Sequence, residues 1–188
     1  MNRIVLASGS PRRRQLLEWA EVPFDVLVKE TAETYPPGMP VEEVPVHIAR
    51  NKALAVRDQV DASRVILAAD TVVVLGSEII GKPRDREDAV NILCRLAGQR
   101  HEVITGVVLL NGKEEIAFAD RTSVWFHELE RTAIEGYVDR YQPYDKAGAY
   151  AIQEWIGVVG IRGIEGDFYN VMGLPVSRVV QALVRLQH

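Results

Sequence analysis

Aspartate is among the residues least used inside β-strands, yet Asp70 lies in the middle of the apolar run at 65–75, with Thr71 beside it. A carboxylate in such surroundings is costly unless it is paired, hydrogen-bonded or bound to a metal. This conflict between propensity and chemistry marks Asp70 as a candidate functional group, and a strand break or bulge at Asp70-Thr71 would aim it into a cleft. The second candidate is Ser8-Gly9-Ser10-Pro11-Arg12-Arg13-Arg14. A short apolar run at 4–7 reads as a buried strand that turns tightly into a helix, with Ser10 placed as N-cap and Pro11 at the first helical position. The helix would open with unpaired backbone N–H groups beside two hydroxyls and three guanidinium groups. Arginine is unfavourable at the positive end of a helix dipole, so three in a row call for an external anion such as phosphate.

Other chemistry-bearing residues are scattered. Lys82 sits on the rigid turn Gly81-Lys82-Pro83, and Lys146 lies in Gln142-Pro143-Tyr144-Asp145-Lys146-Ala147-Gly148-Ala149-Tyr150-Ala151-Ile152-Gln153, where small residues would let backbone approach a ligand. Pattern alone gives bland readings to three more. Lys52 would lay its stem along a packed helix and put its amine in water. Glu33 would belong to a solvated connector at 29–38, and Cys94 would be a small buried hydrophobe. His101 and His127 have no partner at metal-ligand spacing.

The bulk properties narrow the field. The 188 residues carry 22 basic and 26 acidic side chains, a net charge of −4, so the arginine cluster stands against an acidic background. That argues against a general nucleic-acid binder and for a small anionic ligand held at one place. A single cysteine allows no internal disulfide and no thiolate metal cluster. No apolar stretch approaches the length of a membrane span, and the expectation is a cytoplasmic protein without membrane or nucleic-acid partners.

The elements that must position these groups alternate between strand and helix. The pattern predicts a strand at 24–28, a helix after Pro45, a strand at 65–75, a hairpin return through Ile79 and Ile80, and a helix capped by Asp85 and stopped by Gly98. A long strand at 101–110 would turn at Asn111-Gly112, a type I′ signal, into a strand ending near Phe126. A helix at 130–140, a short strand at 158–161 and a last helix from Pro175 complete the chain. No linker or repeat divides it, so residues 1–188 read as one domain.

Several separated stretches together resemble the Maf family of nucleoside triphosphate pyrophosphatases. They are Leu6-Ala7-Ser8-Gly9-Ser10-Pro11-Arg12-Arg13, Ala69-Asp70-Thr71-Val72-Val73, Gly81-Lys82-Pro83, Tyr144-Asp145-Lys146-Ala147-Gly148-Ala149-Tyr150 with Gln153, and Gly166-Asp167 with Tyr169-Asn170-Val171 and Gly173-Leu174-Pro175. The resemblance implies an elongated α/β fold related to inosine triphosphate pyrophosphatases, a mixed sheet with flanking helices and a cleft between two lobes. It implies cleavage between the α and β phosphates, with Mg²⁺ or Mn²⁺ held by Glu33 and Asp70. Asp70 would be the proton acceptor, assisted by Lys52 and Lys82, and Ser8, Ser10, Arg13 and Lys146 would bind phosphate. Arg12, Thr71 and Gln153 match the subgroup that takes dTTP and UTP; the sister subgroup taking 7-methyl-GTP usually has an aromatic, a glutamine and a glutamate there. Two positions depart from the usual pattern: Ala32 stands before Glu33 where an Asp-Glu pair is common, and Asn51 before Lys52 where Glu is common. The family also suggests a homodimer, and its links to arrest of septum formation and cell division supply a regulatory alternative.

Overall fold

The computed structural model describes residues 2–186. Its strands form one seven-stranded mixed sheet in the order β2-β1-β3-β5-β6-β7, with β4 paired to β3. These are β1 (Ile4–Leu6), β2 (Phe24–Val26), β3 (Ile66–Leu75), β4 (Glu78–Ile80), β5 (Arg100–Asn111), β6 (Glu114–Phe126) and β7 (Ile161–Glu165). The helices are α1 (Pro11–Trp19), α2 (Val44–Val56), α3 (Arg86–Leu96), α4 (Arg131–Tyr141), α5 (Trp155–Gly160), α6 (Phe168–Met172) and α7 (Val176–Leu186).

The chain gathers into two compact units, the first made of the segments up to Thr71, Thr105–Asp120 and from Gly173 onward, the second of Val72–Ile104 and Arg121–Met172. In the first unit β1 pairs in parallel with β2 on one side and β3 on the other. The chain therefore leaves β1 through α1 toward β2 and returns through α2 to β3, which makes β1 a point where strand order reverses. Ligands of open α/β sheets bind beyond the carboxyl ends of strands at such points. Val5, Ala7, Ile66, Ala68, Val108 and Leu110 form a core with Ala49, Ala53 and Val56 of α2. The two alanines let α2 lie close to the sheet, and Gly106 of β5 completes the fit. A Cβ at Gly106 would overlap the backbone of Pro45 and Val46, with the Pro45 oxygen 2.6 Å away.

In the second unit β4 runs antiparallel to the far half of β3, and β7 antiparallel to β6. Asp85 caps α3 by accepting from the Asp88 N–H at 2.9 Å, as the spacing predicts. Buried His101 meets Phe126 and Tyr150 edge-on, and its Nε2 lies 2.7 Å from the Tyr150 hydroxyl. Its Nδ1 has no partner among the described residues, and burial holds its pKa down to about 4. An unfolded chain takes up that proton near pH 6.5. The neutral His101 contribution is therefore complete above pH 6.5 and is lost as the pH falls to about 4, amounting to about 3 kcal/mol. Urea unfolding between these pH values should show His101→Gln losing less stability than the wild type by about that amount.

Four expectations need correction. The strand through Asp70 is unbroken from Ile66 to Leu75, with no interruption at Asp70-Thr71. Residues 158–160 belong to α5 and not to a strand, because the Gly157 and Val158 N–H groups both bond to the Glu154 carbonyl; a short apolar run does not fix its own period. Cys94 is exposed, since the buried stripe of α3 runs through Ala89, Val90, Leu93 and Leu96 and leaves position 94 outside. The β5–β6 turn is centred on Gly112 and Lys113, with Gly112 at φ 60° and no positive φ at Asn111. The Asn111 amide instead donates to the Leu186 carbonyl at 3.0 Å.

Candidate active site

Side chains alternate across a strand. Asp70 shares the face of Ile66 and Ala68, which packs against α2, and Thr71 falls on the opposite face. On the α2 face Lys52 donates from Nζ to Asp70 Oδ1 at 2.6 Å and to Glu33 Oε1 at 2.8 Å. Both the Lys52 and Asp70 side chains are largely buried, at 17% and 13% exposed, whereas Glu33 is at 43%. Neither bland reading survives: the amine of Lys52 sits on two carboxylates, and the loop with Glu33 is the rim of that site. Ala7, Ser8, Gly9, Glu33 and Lys52 line a cavity of about 210 Å³ in the first unit.

On the other face Arg13 is buried, at 8% exposed. Its Nε donates to the Gly173 carbonyl at 2.7 Å, Nη1 to Ser8 Oγ at 3.0 Å and Nη2 to Thr71 Oγ1 at 3.0 Å. The Thr71 hydroxyl also lies 2.9 Å from Thr105 Oγ1. Burial lowers the Arg13 pKa, while Asp70 and Glu33 act to raise it and Arg12 to lower it. Three of its five N–H groups are thus committed within the protein. Arg14 turns back to the Gly9 carbonyl at 3.0 Å, and Arg12 is partly exposed on the first turn. Arg13 and Arg14 are therefore held by different partners. Ser10 occupies the N-cap position of α1 without a side-chain cap bond, and its N–H points to Ser8 Oγ at 3.3 Å.

The remaining candidates lie in the second unit. The Gly148 N–H donates to the Gly81 carbonyl at 3.1 Å, which places the turn carrying exposed Lys82 beside the segment carrying Lys146. Gly148 has φ 71° and a Cβ there would meet Val73 Cγ2 at 2.9 Å, so glycine is required twice over. Lys146 Nζ donates to Asp145 Oδ1 at 2.8 Å and lies 3.7 Å from Glu154 Oε1. Gln153 is exposed. Sequence reasoning missed its supports. Tyr137 donates its hydroxyl to Glu154 and receives the Ala151 N–H at 3.3 Å. Burial, and then the Glu154 carboxylate, push the Tyr137 pKa up. Nothing in the pattern of the helix at 130–140 singles out Tyr137. The available signal was the acidic residue directly after Gln153, at the start of a helix.

Among the described residues no three His, Cys, Asp or Glu side chains converge on one point. A hard divalent cation such as Mg²⁺ commonly takes one or two carboxylates and completes its shell with water and substrate phosphates. Glu33 and Asp70, whose oxygens already share one cation, fit that donor set.

Comparison with known proteins agrees along the whole chain. A family model described as Maf-like protein matches residues 3–186. A Cytophaga hutchinsonii protein named dTTP/UTP pyrophosphatase is 47% identical over 183 residues, covering 97% of this chain and 84% of its own. Proteins of the same name from Porphyromonas gingivalis and Phocaeicola vulgatus are 46% and 44% identical, covering 96% and 98% of this chain and 92% and 96% of theirs. Among solved structures, the Staphylococcus aureus Ham1 protein aligns over 68% of this chain and 73% of its own with TM-score 0.47 and 14% identity, too weak a likeness to inform fold or function. On the strength of the near full-length match, this chain belongs to the Maf family.

Proposed function

We propose that this protein hydrolyses dTTP and UTP to the nucleoside monophosphate and pyrophosphate. The observation that carries the reading is the Asp70–Lys52–Glu33 group, with Asp70 midway along β3, next to the Ser8 turn that follows β1. It is supported by near full-length relatives that carry the name dTTP/UTP pyrophosphatase. A triphosphate brings about four negative charges that need paired cations and donors in a partly dry site. Ser8, Ser10 and Lys52 are assigned to the phosphates, with Lys82 and Lys146. Arg13 adds its charge and braces the Ser8 and Thr71 hydroxyls through the bonds described above. Asp70 orients the attacking water and accepts its proton at the carboxylate. A divalent cation held by Glu33 and Asp70 would neutralise phosphate charge and make water more acidic. The cytoplasm, where nucleoside triphosphates are made, is the fitting location.

Arg12, Thr71 and Gln153 are assigned to base choice. A glutamine amide both donates and accepts, which complements the N–H and carbonyl edge of thymine or uracil. A glutamate only accepts. Gln153→Glu should therefore reduce the rate on dTTP and UTP relative to 7-methyl-GTP by about tenfold or more, with little effect on stability because the residue is exposed. Pyrophosphate release over a nucleotide panel, with and without Mn²⁺, tests both statements. Equal rates on all bases would overturn the pyrimidine assignment. Tight binding with no release would favour a regulator instead, and unchanged selectivity in the variant would remove Gln153 from base choice.

A further inference from the structure

Lys52 is held in an unusual way for a group assigned to phosphate. Its ammonium bridges the two carboxylates assigned to the divalent cation, at 2.6 Å from Asp70 and 2.8 Å from Glu33. Its stem rises from α2 beside Ala49 and Ala53, which are packed against the sheet, so the amine is delivered to that place by the fold. Arg13, the other buried cation of the first unit, is committed to Ser8, Thr71 and Gly173 and makes no direct bond to either carboxylate among the described residues.

A divalent ion ligated by both oxygens at about 2.0–2.1 Å would take the space the ammonium fills. Two cations at hydrogen-bond separation also repel strongly in a partly buried site. One of them must leave. Besides Glu33, the cavity beside the ammonium is lined by the carboxylate of exposed Glu30, which makes no bond to Lys52 among the described residues. A bound triphosphate would supply a more highly charged anion to receive the ammonium.

We infer that Lys52 is a placeholder for the divalent cation, keeping Glu33 and Asp70 occupied in the free protein so that metal is taken up with the nucleotide and not before it. This rests on the proposal that the pair serves triphosphate hydrolysis, and adds an order of assembly to it. Metal and nucleotide then favour each other's binding by the same factor, as linkage requires. The free protein would not strip Mg²⁺ or Mn²⁺ from its surroundings, and the carboxylates would remain charge-balanced between turnovers.

The test uses Mn²⁺ alone, titrated into nucleotide-free protein and followed by the electron paramagnetic resonance signal of the free ion. Lys52→Met and Lys52→Gln should bind Mn²⁺ at least about tenfold more tightly than the wild type, and Lys52→Arg, which keeps a cation, should stay as weak as the wild type. Adding Glu33→Gln to Lys52→Met should abolish the gain. Equal or weaker binding in both neutral variants, or an equal gain in Lys52→Arg, overturns the inference. Should the neutral variants fail to fold by circular dichroism, nucleotide-free wild-type crystals soaked in Mn²⁺ decide the matter. Metal seated between Glu33 and Asp70 with Lys52 still bonded to both overturns it, and an empty pair under Mn²⁺ that fills when nucleotide is added supports it. The hydrolase proposal fails separately. Wild type silent on every nucleotide, with the tightening intact, sinks that proposal and leaves the placeholder standing, whereas an active enzyme without tightening does the reverse.

Discussion

Asp70→Asn is expected to lower turnover on dTTP and UTP by about a hundredfold or more while leaving the fold and nucleotide binding in place. The substitution keeps the size of the side chain and the oxygen that accepts from Lys52 at 2.6 Å. It removes the negative charge and the ability to take a proton from water. Lys52 still has Glu33 at 2.8 Å, so no buried cation is stranded and a large loss of stability is not expected. The deficit should therefore fall on kcat, with KM within a few-fold of the wild type. Pyrophosphate release at saturating nucleotide, with calorimetric titration of nucleotide binding, separates the two quantities. Near-normal kcat would remove Asp70 from the chemistry, and a collapse of binding would make its main role the holding of the divalent cation that enters with the nucleotide.

Gly106→Ala should give the largest loss of stability. Glycine in the middle of a strand normally costs stability, and replacing it with alanine would ordinarily help. Here the added methyl would overlap the backbone where α2 begins, at Pro45 and Val46. Backbone cannot swing aside as a long side chain can, so either β5 or α2 must move. The expected cost is about 3 kcal/mol or more, a large part of the stability of an ordinary domain. Lys52 lies two turns further along the same helix, so any folded fraction should also show lower activity per molecule. Urea unfolding and an activity assay on the folded variant check this, and a loss below 1 kcal/mol would mean that the helix tolerates displacement.

Some of this arrangement is legible in the residues. Asp70 announces itself because a carboxylate in an apolar run contradicts its surroundings, and the Ser8–Pro11 turn follows from capping preferences. The alternation of strands and helices is read in the same way, as are the Asp85 cap and the strand–helix–strand start. What pattern does not reveal is where a long side chain ends. Lys52 and Glu33 look ordinary along the chain, and only the close approach of α2, permitted by Ala49, Ala53 and Gly106, brings the amine to both carboxylates. Arg13 is similar: Gly173, 160 positions away, accepts its strongest-placed bond. The 158–160 segment was misread for a different reason, because six residues are too few to display a period.

Asp70 and Thr71 are neighbours in the chain, yet their side chains leave the strand in opposite directions and are anchored by different helices, Lys52 of α2 and Arg13 of α1. Inserting or deleting one residue earlier in β3 would exchange the two, placing the hydroxyl against the amine and the acid against the guanidinium. Point substitutions confined to the α1 side leave that register intact, but those at Arg13 also alter the field felt by Asp70 and Glu33 and the hold on Ser8. The strand thus presents two surfaces divided by a single peptide plane and still joined through charge.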